Sequence, residues 1–451
     1  MKVAFHTLGC KVNQYETATM EQIFQDAGYE IIDFKDTADV YVINTCTVTN
    51  LGQKKSRQMI RRAIQKNPDA IITVTGCYAQ TAPGEVLEIF GVDLVIGTQD
   101  RHKILEYINE IVKERQPINA VADIWQQREF EDLSAPFFGE RTRATLKIQE
   151  GCTEFCSYCI IPYARGGIRS RKLSSILEQA ELIVKQGYKE IVLAGIHLGA
   201  YGRDLDNVKL IDVLKALEQV EGLERIRISS IEATELNDEL LLLMQQSNKF
   251  CRHLHLPLQA ATNEILTKMN RKYSVEQYKS IIEHVRNLIP DIAITTDLIV
   301  GFPGETDELF KQGCEFIEAM SFADMHIFKY SKRSGTPAAE MEGQILNTDK
   351  DARSREIAGI IDKSKLTYHQ KFVGKILPVI IEQQFKDGDI SKHESHGKLF
   401  EGHADNYMKL VFNANEEDIG KLVRVQVKQA GINYSMGEIV KDNHKEDYSD
   451  N

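Results

Sequence analysis

The chain lacks any uncharged apolar run of about 18 residues, the length a helix needs to cross a bilayer. Its first residues carry neither a long apolar core nor a small-residue cleavage site. These absences argue against a membrane-spanning helix and predict a cytoplasmic protein with no membrane partner. Positive charge is also short: 55 Lys and Arg against 66 Asp and Glu give a net charge of −11, which excludes indiscriminate binding to polyanions. Any nucleic acid must therefore bind at local patches, and "KKSRQMIRR" (54–62) and "ARGGIRSRK" (164–172) are the basic candidates. Cysteine is sparse, eight in 451 residues, and in a reducing compartment grouped cysteines read as metal or redox ligands rather than disulfides.

What is present divides the chain. Its length exceeds what one growing core accommodates, so two or three domains are expected. Residues 1–118 alternate strand-like and helix-like runs, among them "VAFHTL", "VYVINT", "AIITVT" and "VDLVIG", the pattern of a Rossmann-like parallel α/β domain. The stretch 119–140 breaks that period with acidic, proline and glycine punctuation and reads as a linker. Residues 141–371 hold six strand candidates separated by helical segments, too few for a closed eight-fold barrel, which predicts a partial (β/α)6 barrel. Five short strand candidates over 372–441 predict a small antiparallel barrel of the OB-like kind that grips oligonucleotides, and the charged end, 442–451, reads as a disordered tail.

The densest chemical signal is "EGCTEFCSYCIIPYARG" (150–166), which sets Cys152, Cys156 and Cys159 on one loop just after the first barrel strand. Three thiolates suit a [4Fe-4S] cube, each holding one iron and leaving the fourth iron open to a small ligand. A structural zinc shell needs four ligands, and no fourth Cys or His lies on this loop; His197, His253 and His255 fall on other strands and read as ordinary polar residues. Other barrel-strand ends fit a cofactor cleft: "AGIHLGAYG" with Gly195 and His197, "HLHLPLQ" with Gln259, and "GFPGET" with Gly301. Cys10, Cys46 and Cys77 are remote in sequence, yet each follows directly on a predicted parallel strand of the first domain. The carboxyl ends of neighbouring parallel strands share a crevice, so these three thiols are expected to converge on a second cluster. Cys251 and Cys314 lack such placement and read as core residues.

The barrel spacing resembles the radical S-adenosylmethionine superfamily, and the whole chain resembles its methylthiotransferases, with an N-terminal cluster domain, a radical barrel and a C-terminal TRAM domain. The resemblance implies two [4Fe-4S] clusters and S-adenosyl-L-methionine, whose reductive cleavage yields a 5′-deoxyadenosyl radical, with Cys152, Cys156 and Cys159 as catalytic cluster ligands and Tyr158 near the adenine. "GCKVNQYET", "NTCTVTN" and "KKSR" resemble the branch acting on N6-threonylcarbamoyladenosine beside the tRNA anticodon. That branch implies a tRNA anticodon stem-loop as partner, an electron donor such as flavodoxin or ferredoxin, and a sulfur donor. Candidate RNA contacts are Lys54, Lys55, Arg57, Arg61 and Arg62, with Tyr407 in "GHADNYMKLVF" either stacking on RNA or filling the small barrel. The sequence departs from the family at Ala260 and Ala261, where a serine-glycine pair is usual; against the cofactor, the added Cβ would tighten the pocket. The runner-up is methylthiolation of isopentenyladenosine, and a rival of another class is a non-catalytic iron–sulfur RNA-binding protein.

Overall fold

The computed structural model describes residues 1–134, 141–386 and 398–440. The expected tail and the last residues of the expected linker lie outside these. Strands β1 (Lys2–Thr7), β2 (Glu30–Ile32), β3 (Val40–Thr45), β4 (Ile71–Gly76), β5 (Leu94–Val95) and β6 (Ile118–Asn119) form one parallel sheet in the order β2-β1-β3-β4-β5-β6. β3 is buried along its whole length, as a central strand must be when helices cover both faces. The sequence reading missed β2 and β6, edge strands of three and two residues with too little pattern to register.

The second unit begins with β7 (Ala144–Lys147), continues through a short antiparallel ribbon of β8 (Gln149–Glu150) and β9 (Arg169–Ser170), and adds β10 (Glu190–Ala194), β11 (Arg225–Ile228), β12 (His253–His255), β13 (Ala293–Val300) and β14 (Asp324–Lys329). The parallel sheets β11-β10-β7 and β12-β13-β14 are joined by single bridges, Ile226 to Phe250 and Ser230 to His255. The result is a six-stranded arc, the expected partial barrel, open between β7 and β14. The first-domain helix Lys11–Asp26 packs on β7 and closes part of that opening.

The third unit is a closed barrel of β15 (Ile376–Gln384), β16 (Leu399–Ala404), β17 (Lys409–Asn413), β18 (Leu422–Gln429) and β19 (Ser435–Ile439), in the order β15-β16-β17-β19-β18. All pairings are antiparallel except β17 with β19, the one departure from the expected antiparallel barrel. It docks on the N-terminal ends of β10 and β11. There Glu190 pairs with Arg225 and Arg227 at 2.7 Å each, and the two arginines donate to the carbonyls of His403, Ala404 and Asp405.

A buried ionic knot joins the first domain to the second. Arg165 ion-pairs Glu16 and Glu150, Lys147 pairs the same two carboxylates, and Arg101 reaches Glu16 and Glu131 at 2.9 Å. Residues 119–134 are not a loose tether either: Tyr15 donates to the Leu133 carbonyl, and Asp132 pairs with Arg171 at 2.6 Å. The "ARGGIRSRK" patch is thus corrected, because Arg165, Arg169 and Arg171 are all buried and engaged inside the protein.

Two outcomes follow from these pairs. Glu16→Gln leaves three buried cations to two carboxylates, Glu131 and Glu150, and is expected to cost about 3–5 kcal/mol, read as a lower urea midpoint for the transition that separates the first domain. Burial alone would raise the Glu190 carboxyl, but Arg227 and Arg225 bring it down to about 2 from an ordinary 4.5. Its stabilising share is therefore complete above pH 4.5 and is lost as the pH falls toward 2. Pepsin sensitivity of the C-terminal barrel should rise in that window, and Glu190→Gln should expose the barrel to protease at neutral pH.

Candidate metal and cofactor centre

The barrel cysteines lie on a loop pinned at both ends. Cys152 N–H donates to the Gly166 carbonyl (3.0 Å), and Cys159 N–H donates to Cys156 O (2.9 Å), closing a turn that brings the thiols together. Gly151 holds φ +77°, and a Cβ there would stand 1.8 Å from the Gly167 carbonyl oxygen, so only glycine allows this approach. Cys152 Sγ lies 3.9 Å from His197 Nδ1, whose other nitrogen meets Glu235 at 2.8 Å. Burial alone would lower that imidazole, but Cys152 and Glu235 lift it to about 10. Arg271 donates to Cys156 Sγ at 3.4 Å and is itself paired with Glu232. A recess of about 190 Å³ opens beside Cys156, lined by His197, Glu232, Glu235, Arg271 and Tyr273.

In the first domain Cys10, Cys46 and Cys77 follow directly on or just beyond β1, β3 and β4, which are adjacent in the sheet, so topology brings the three thiols to one edge as the spacing predicted. Gly76, at φ +94°, packs its α-carbon so tightly on Asn44 and Thr45 that a Cβ would clash at 2.4 Å, fixing the exit of β4 into Cys77. Arg165 Nε donates to Cys77 Sγ at 3.2 Å. Each triad therefore has one sulfur held by a buried guanidinium.

The donor chemistry fits iron–sulfur clusters better than single ions. Burial pushes the Cys77 and Cys159 thiols up to about 12, so both need strong positive charge from a metal to become thiolates. Sulfurs around one tetrahedral zinc sit about 3.8 Å apart, from Zn–S bonds of about 2.3 Å. Among the described residues one set of three His, Cys, Asp or Glu side chains brings its ligand atoms within 4.8 Å of one another, and it is His255, Asp297 and His326; neither cysteine triad closes that tightly. Three thiols at wider spacing suit a cube, in which each thiolate holds an iron of its own.

The other expected residues are sorted by the structure. Tyr158 packs edge-on against Phe302, beside the cysteine loop. Gly195 follows β10, and a Cβ there would press on Gln149 at 3.0 Å. Gln259 takes φ +64°, held by hydrogen bonds to Asp297 O and from Ile299 N, and Gly301 N–H donates to Glu305 at 2.7 Å. Ala260 and Ala261 are buried in the apolar core, Ala261 opposite Gly313, so their methyl groups fill the protein interior. On the helix Asn50–Lys66, Lys54, Lys55, Arg61 and Arg62 are exposed, whereas Arg57 is turned inward over the Tyr78 ring. Tyr407 neither fills the small barrel nor offers a free ring: it stacks on His253 at 4.9 Å with Arg227 at 4.9 Å over it.

Sequence reasoning missed the polar lining of the radical barrel. His255 pairs with Asp297 at 3.2 Å, Asp297 and His326 are register partners on β13 and β14, and Thr295 lies 2.9 Å from His255 Nδ1. The alternating H-x-H, T-x-D and D-x-H of β12, β13 and β14 was the available signal. Burial, then Arg227, His255, Lys11 and His326, hold the His253 imidazole well below its usual range.

Comparison with known proteins agrees with this architecture. Residues 2–97 match the family described as Uncharacterized protein family UPF0004, and residues 146–317 match the Radical SAM superfamily. The chain is 50% identical to a threonylcarbamoyladenosine tRNA methylthiotransferase of Bacillus subtilis, over 97% of this chain and 96% of that one. It is 38% identical to its namesake in Aquifex aeolicus (95% and 100% covered) and 33% identical to a tRNA-2-methylthio-N(6)-dimethylallyladenosine synthase of Clostridium tetani (93% and 92%). The radical S-adenosylmethionine methyltransferase TsrM of Kitasatospora setae shares the fold, with TM-score 0.57 and 16% identity over 75% of this chain and 77% of that one. Among the described residues no helix is long and apolar enough to cross a membrane. The chain belongs to the radical S-adenosylmethionine methylthiotransferases, within the threonylcarbamoyladenosine tRNA branch.

Proposed function

We propose that this chain methylthiolates N6-threonylcarbamoyladenosine next to the anticodon of tRNA, giving the 2-methylthio derivative. The observation that carries the reading is the pairing of two three-thiol sets on one rigid frame, in a chain half identical to a relative named for that reaction. Cys10, Cys46 and Cys77 hold one [4Fe-4S] cluster, and Cys152, Cys156 and Cys159 hold the other together with S-adenosylmethionine. Bound there, these groups would supply reductive C–H activation and the methyl group, with electrons from a donor such as flavodoxin or ferredoxin and sulfur from a sulfur donor.

The chain's own residues prepare the site. Arg271 and Arg165 donate to Cys156 and Cys77, lowering the charge that each sulfur set carries. His197 keeps its ring in place between Cys152 and Glu235. Tyr158, Gly195, Gln259 and Gly301 line the cofactor cleft. Lys54, Lys55, Arg61 and Arg62 present an exposed basic face to tRNA phosphates, and the C-terminal barrel serves as a TRAM domain. The dimethylallyl reading has weaker support, its namesake reaching 33% identity.

Mass spectrometry of tRNA nucleosides tests the reaction, in cells without their own methylthiotransferases. Expression of the chain should produce 2-methylthio-N6-threonylcarbamoyladenosine, and Cys156→Ala should abolish it; a methylthiolated isopentenyladenosine in its place would refute the substrate. Iron analysis tests the ligands: a Cys77→Ala chain and a Cys156→Ala chain should each hold about half the iron of the unaltered protein after reconstitution.

A further inference from the structure

The lining of the radical barrel is polar where a pocket for an alkenyl side chain would be apolar. His255 and His326 flank Asp297, with Thr295 held against His255 Nδ1 at 2.9 Å. His326 and Lys11 are solvent-facing, and neither has a salt-bridge partner among the described residues. Lys11 directly follows Cys10 and is the first residue of the helix that packs on β7; the nearby Arg227 and Arg143 are each taken up by a carboxylate, Glu190 and Glu382, which leaves Lys11 as the unpaired cation there among the described residues. An anion with donor groups of its own would be attracted by Lys11 and could still donate to Asp297.

We infer that this lining is the pocket for the N6 substituent of the substrate, with Lys11 and His326 binding its threonyl carboxylate and Asp297 accepting from its hydroxyl or ureido N–H. The inference rests on the proposed function and names the part of the substrate that this chain selects. Purine chemistry supports the placement. The carbon that gains sulfur, C2, and the carbon bearing N6 flank the same ring nitrogen, so the N6 substituent leaves from the same edge of the base as the reacting carbon. Phe328, two residues beyond His326 on the same face of β14 and 44% exposed, presents a ring on which the base can stack. A dimethylallyl group would leave His326 and Lys11 without a partner, and sites built on such groups reject partners that lack them strongly.

The test is equilibrium binding of anticodon stem-loop RNAs to the reconstituted holoenzyme by fluorescence anisotropy, comparing the threonylcarbamoyl carboxylic acid with its methyl ester. The unaltered chain should prefer the acid by about 10- to 100-fold, the scale of one or two charge-assisted hydrogen bonds. His326→Phe should bring that preference to within about threefold by weakening the acid alone, and His326→Gln, which keeps a donor, should restore part of it. An unaltered chain that binds acid and ester alike, or a His326→Phe chain that keeps the full preference, overturns the pocket. Turnover is scored on the same samples: acid preference without methylthiolated product would sink the proposed function and leave the pocket standing, whereas product without acid preference would sink the pocket alone.

Discussion

The structure depends on one buried guanidinium. Arg165 is fully buried, ion-paired to Glu16 of the first domain and Glu150 of the barrel, with Nη2 donating to Asn13 and Nε to Cys77. Glu16 lies on the helix that starts just after Cys10, and Glu150 stands two residues before Cys152, so one side chain fixes both cysteine sets relative to each other. Buried ion pairs are poor sources of net stability, since desolvation offsets their attraction, but they punish every arrangement that leaves a charge unpaired. Three cations, Arg101, Lys147 and Arg165, meet Glu16, Glu131 and Glu150, and the knot closes with charges matched in this one docking.

That docking decides where chemistry can occur. The C-terminal barrel covers the N-terminal ends of β10 and β11 and plugs the lumen floor with Tyr407, while the cysteine loop occupies the opposite end. The arc is open between β7, against which the helix Lys11–Asp26 packs, and β14, which carries the exposed His326 and Phe328. Arginine against sulfur recurs at both thiol sets, from Arg165 and from Arg271, and each guanidinium is anchored by carboxylates so that it cannot swing away.

Much of this was legible in the residues. Period-two and period-3.6 runs are local properties, and all five C-terminal strands and all six barrel strands stand where those runs stood. Cys10, Cys46 and Cys77 were legible as one group despite their separation, because parallel strands fix which ends meet. Short edges such as β2 and β6 were not, since two or three residues carry no period.

Charge was misread where burial reversed its meaning. "ARGGIRSRK" looks like a patch for phosphates, and in the fold its arginines are consumed by Glu16, Glu150, Asp132 and backbone carbonyls. Tyr407, which the sequence leaves between an RNA stack and barrel filling, and Arg57, a candidate RNA contact, are held by partners from distant elements, His253 with Arg227 and Tyr78. The sequence by itself determined the three-part architecture, the two thiol triads and the family, all of which rest on local pattern and spacing. Tertiary structure alone decided which cations face solvent, which are neutralised, and that His255, Asp297 and His326 converge, because charge pairing depends on neighbours that only packing brings together.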